Sequence, residues 1–142
     1  RMQGTNKQKQ ICLAFHSYSS ANNDKLPQGL LVSPFFQILP YLEHGNYHRE
    51  VESGTRPRSS DFVMLPYLSP ADPSFPDPVL RAGVASYCFN ARALVPSLKP
   101  PETFQLWTDG TAQTIIVSEH YGYMCQTALF YWIHSEPPFT LK

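Results

Sequence analysis

Apolar residues near the start of the chain recur with a helical period. Ile11, Ala14, Phe15 and Tyr18 fall at i, i+3, i+4 and i+7, while Lys7, Lys9, Gln10 and Ser17 mostly take the other side. From Met2 to Tyr18 there is no Pro and Gly4 is the one Gly. Gln, Lys, Leu and Ala dominate, and these lose little side-chain freedom in a helix. The pattern predicts a helix from Met2 to about Ser20–Asn22, held to a core by Ile11, Phe15 and Tyr18. Turn formers from Ser19 to Gly29 end it, with Asn22 or Asn23 suited to the left-handed closing position. No Ser, Thr, Asp or Asn cap precedes Arg1, so the helix is expected to be the lower half of a longer one. Ile11 to Tyr18 is its core-facing part.

Ser33 and Pro34 open a second helical pattern, as cap and first helical residue. Phe35, Phe36, Leu39 and Leu42 give it an apolar face, and Pro40 interrupts it, predicting a short two-part helix to about Glu43. Asn46 to Val51 adds another turn. Residues 53 to 60 read as loop, and the apolar run 61 to 65 stops at Pro66. The four prolines from Tyr67 to Pro78 demand extended or turning chain. After that the period shortens. Residues 84–89, 103–107, 113–118 and 127–133 are β-branched and aromatic runs of strand length, separated by Pro, Gly or Asp-Gly. Helix first and strands later, without βα alternation, predicts an α+β domain in which an antiparallel sheet has one face covered by the opening helix.

Composition narrows the classes. At 142 residues the chain is one domain able to bury roughly 70% of its unfolded surface without metal or disulfide. Eleven Lys and Arg balance eleven Asp and Glu, so the basic field that nucleic acid or an anionic membrane surface attracts is missing. No apolar run within the chain reaches the ~20 residues of a membrane span. The cysteines Cys12, Cys88 and Cys125 are odd in number and lack Cys-x-x-Cys spacing, so they read as buried thiols ahead of one bridged pair.

Three patches resemble a bacterial pseudopilin-like family whose members carry a prepilin-type cleavage and methylation segment. The first is the run from Arg1 to Tyr18, similar to the family's Arg-x-Gln-Cys-x-Asn-Asn-Leu-Lys-Gln-Ile-Gly-Leu-Ala-x-His-Asn-Tyr. The second is Leu39-Pro-Tyr-Leu-Glu43 with Leu68-Ser-Pro-Ala-Asp-Pro73, where the family has Leu-Cys-Pro-Ser-Asp-Pro. The third is Thr108-Asp-Gly-Thr-Ala-Gln-Thr-Ile-Ile-Val-Ser-Glu119. The resemblance implies a type IV pilin fold, with residues 1–22 as the lower part of a spine helix, of which residues 1 to 10 face neighbours in an assembly or solvent, and 23–142 as the head. It also implies an upstream leader and apolar anchor, export, and a periplasmic or cell-surface location at the inner membrane. The partners implied are other pilin-like subunits, as in type II secretion or a surface filament, or proteins of a membrane complex. Gly4 and Ser69 stand where relatives tend to have Cys, and their joint departure is what loss of a shared bridge would leave. Lys99 stands where some relatives carry a His.

Candidate chemistry is sparse. Asp109-Gly110 reads first as a hairpin turn between strands, with Gly at positive φ. The functional alternative is a calcium loop of Asp109, Thr111 and Glu119, because oxygen ligands suit that ion. His44 and His48 are spaced i, i+4 as zinc ligands on a helix would be, but Gly45 and Asn46 argue against a regular turn there and no third ligand is near. His16 beside the apolar stripe reads as a hydrogen-bonding residue at the helix–sheet junction. Ser118-Glu119-His120 has nucleophile, acid and base types, yet neighbours on a strand face opposite ways and form no relay. Phosphate-loop, dinucleotide and Gly-x-Ser-x-Gly motifs are missing, so the chain reads as a non-enzyme. Trp107, Phe130, Tyr131 and Trp132 are core residues in the main reading. In the alternative of an exported ligand-binding domain they form a carbohydrate or peptide platform centred on Trp132.

Overall fold

The computed structural model describes residues 2–28, 32–57, 62–73, 84–94, 102–108, 110–124 and 128–129. Its first element, α1, is a helix over Met2–Ala21. It ends as the turn formers dictate: the Asp24 amide donates to the Ser19 carbonyl at 2.9 Å and the Asn22 side chain donates to the Tyr18 carbonyl at 2.8 Å. Asn23 and Asp24 take the left-handed conformation at φ 56° and 62°, which short polar side chains tolerate.

The Ser33-Pro34 start forms as expected. Ser33 Oγ accepts from the Phe35 amide at 3.2 Å and Pro34 opens α2 (Pro34–Gln37). Pro40 has no N–H to continue an α-helix, and the chain tightens into a 3₁₀ turn over Leu39–Leu42. Glu43 closes that turn at φ 63°, left-handed without being glycine. A regular helix, α3 (Gly45–Glu52), follows directly, so Gly45 and Asn46 do not prevent a helical turn between His44 and His48. Beyond it Arg56 lies over the stacked rings of Tyr47 and Phe62, 4.9 and 4.8 Å from their centroids, and pairs with Glu50 at 3.2 Å.

The fold class is α+β, with a smaller sheet than four strand-length runs suggest. β1 (Tyr87–Phe89) pairs antiparallel with β2 (Val117–Glu119) in the register Tyr87–Glu119, Cys88–Ser118 and Phe89–Val117. β3 (Tyr123–Met124) pairs antiparallel with β4 (Ala128–Leu129) as a separate two-stranded ladder. A one-turn helix, α4 (Ala91–Leu94), follows β1. The expected strand at 103–107 is instead a 3₁₀ turn over Phe104–Leu106, with Thr103 making an isolated bridge to Lys25. Side-chain period explains the change. Phe104 and Trp107 pack edge to face at 5.1 Å, a spacing of three that a strand, alternating every two, does not provide. The Asp109-Gly110 pair therefore does not join two strands, although Gly110 has the positive φ, 76°, that the turn reading requires. A 3₁₀ turn over Leu65–Tyr67 leads into the segment expected to be extended or turning chain.

Ile11, Ala14 and Phe15 are fully buried beneath α1. They meet an aromatic cluster around Phe35, whose ring lies 4.8 Å from Tyr67, 5.6 Å from Phe89 and 6.5 Å from Phe15. The Tyr67 hydroxyl donates to the Phe35 carbonyl at 2.5 Å, so the polar end of this fully buried side chain is satisfied. Each such side chain contributes about 1.5–3 kcal/mol on burial, which makes this cluster the anchor for the helix.

Candidate functional site

The N-terminal half of α1 does not stand free. Lys7 Nζ donates to the carbonyls of Leu65 and Leu68, both at 2.8 Å, and Gln8 Nε2 donates to the Val117 carbonyl at 3.3 Å. Gly4 is buried, and the Tyr87 hydroxyl reaches its carbonyl at 3.5 Å. A Cβ at position 4 would meet Ser69 Oγ at 3.7 Å and Glu119 Oε1 at 3.8 Å. Residues 1 to 10 were expected to face neighbours or solvent. Gly4, Lys7 and Gln8 are instead fastened to the chain's own loop and sheet, whereas Gln3, Thr5, Asn6, Lys9 and Gln10 are exposed as expected.

Beneath Gly4 lies a polar knot. Ser69 Oγ donates to the Glu119 carboxylate and accepts from the Ala71 amide at 3.1 Å. Asp72 accepts from Ser86 Oγ at 2.7 Å and from the Gly122 amide at 2.8 Å. Burial pushes the Tyr87 phenol above its usual range; the Ser69 hydrogen bond opposes that shift and the Glu119 charge adds to it. Together these bonds tie the loop at 69–72, both strands of the first ladder and the first turns of α1 into one body.

On another side of α1 runs a groove of about 420 Å³. Lys7, Gln10 and Leu13 form one wall, Tyr41 to His44 the facing wall, and Leu65 with Pro66 the end beside Lys7. Leu13 and Leu65 are 65% and 62% exposed, and Tyr41 also reaches solvent. Three of the large apolar side chains exposed among the described residues thus border one groove. Burial lowers the Lys7 ammonium pKa from its ordinary value. The sequence carried one signal for this groove: Leu13 lies off the stripe formed by Ile11, Ala14, Phe15 and Tyr18.

The residues singled out in the sequence are dispersed. Ile11 and Phe15 are in the core, and Tyr18 is half-buried with its hydroxyl donating to Gln37 Oε1 at 3.2 Å. Thr111 and Gly110 are exposed in a turn, whereas Glu119 is engaged with Ser69; Asp109 lies outside the described residues. Among the described residues no group of three His, Cys, Asp or Glu is arranged to hold a metal. His48 stacks on Phe36 at 4.8 Å while His44 lines the groove. His16 stacks on Phe104 at 4.3 Å, an aromatic contact rather than a hydrogen bond at the junction with the sheet. Ser118 Oγ donates to the Glu119 carbonyl at 3.4 Å, and His120 Nδ1 lies 2.6 Å from the Tyr121 carbonyl, so the Ser-Glu-His run has separate partners. Trp107 is buried against Phe104. Lys99, Cys125, Phe130, Tyr131 and Trp132 lie outside the described residues. Cys12 and Cys88 are free, half-buried thiols.

Among the described residues no helix is long and apolar enough to cross a membrane. No curated protein and no solved structure matches the chain. The family described as a protein of unknown function (DUF1559) matches residues 1–97, a span that includes α1, Leu39–Glu43 and the Ser69 loop but not the patch at 108–119. That span is more than half of the 142 residues, and the chain belongs to this family, one found commonly in pilin-like proteins.

Proposed function

We propose that this chain is the head of a pilin-like assembly subunit, non-enzymatic, whose α1 continues upstream into an apolar anchor cut from its leader by a prepilin peptidase. The observation that carries the reading is the double fastening of α1. Apolar packing holds Ile11 and Phe15, and polar docking holds Gly4, Lys7 and Gln8. A helix clamped along its length moves with its head as one body, which a subunit positioned by its helix requires. The opposite face, with Asn6, Lys9, Leu13 and Ser17, stays exposed for neighbours. Membrane attachment in this reading belongs to the upstream segment, and the head works at the periplasmic or outer face of the inner membrane, in a secretion apparatus such as type II or in a surface filament. The ligand-binding alternative is weaker because Trp107, one of its platform aromatics, is turned into the core.

The test is to express the full-length gene product in a bacterial host with and without a prepilin peptidase. Peptidase-dependent shortening, with the product in the membrane fraction, is the expected result. A product neither cleaved nor membrane-associated refutes the reading.

A further inference from the structure

We draw no further inference here: the strongest candidate, the groove along α1 between the exposed Leu13 and Leu65 and the wall from Tyr41 to His44, carries none, because nothing in the structure shows what covers it.

Discussion

The two halves of α1 are held by different physics. From Ile11 to Tyr18 the helix buries aliphatic and aromatic side chains against the Phe35 and Tyr67 cluster. From Gly4 to Gln8 it is fixed by hydrogen bonds to carbonyls of a loop and a strand, with a bare glycine pressed onto Ser69 and Glu119. Burial energy is nondirectional and scales with area. Hydrogen bonds exchange protein for water partners and contribute less in net terms, while fixing register. The apolar half therefore determines whether the helix docks, and the polar half determines how it is aligned.

The strongest test of this contrast is Phe15→Ala, for which a loss of about 3–5 kcal/mol is expected from the urea midpoint. An equal loss from removing a polar contact would erase the distinction. Next comes a covalent clamp on the polar half. A Cβ on residue 4 would sit 3.7 Å from Ser69 Oγ, so Gly4→Cys with Ser69→Cys should oxidise to a disulfide. Closing a loop of roughly 65 residues should then stabilise the chain by about 2–4 kcal/mol, read as the midpoint difference with and without reductant. Thiols that stay reduced would show that this half is not seated as described.

Smaller effects sharpen the comparison. Ser69→Ala removes the donor to Glu119 and should cost about 1–2 kcal/mol by the same measurement. Gly4→Ala should go the other way, gaining about 0.5–1 kcal/mol, since the added methyl meets only ordinary contacts and stiffens a helical position. The smallest effect concerns Cys88, half-buried on the face of β1 opposite Tyr87 and Phe89. Burial raises its thiol from 9.0 to about 11. An acid whose folded pKa is raised favours the folded state below the unfolded value, and that contribution is lost as pH climbs through about 11. Alkylation of Cys88 near pH 9, followed by peptide mass spectrometry, should run on the order of tenfold slower in the folded chain than in urea. Equal rates would mean that the Cys88 thiol is not shielded in the folded chain.

Some of this was legible in the residues. The span of α1, its left-handed exit, the Ser33-Pro34 start, the break at Pro40 and the core roles of Ile11 and Phe15 all follow from local period and local backbone chemistry. Such features depend on neighbours within a turn or two, so the sequence by itself determines them. The Phe104–Leu106 turn was not legible, because a β-branched and aromatic run suits strand and core equally until its packing partner is known. Leu13 was visible as an apolar residue off the stripe, but the wall facing it was not.

What only the tertiary structure decided is which polar atoms meet. Lys7 binds carbonyls 58 and 61 residues away, and Ser69 finds Glu119 across 50 residues. Nothing in a lysine or a serine specifies such a partner in advance, because its hydrogen bond is satisfied nearly as well by water. The choice falls to the apolar core, which brings α1, the 65–72 loop and β2 together and leaves their polar groups to pair where they lie.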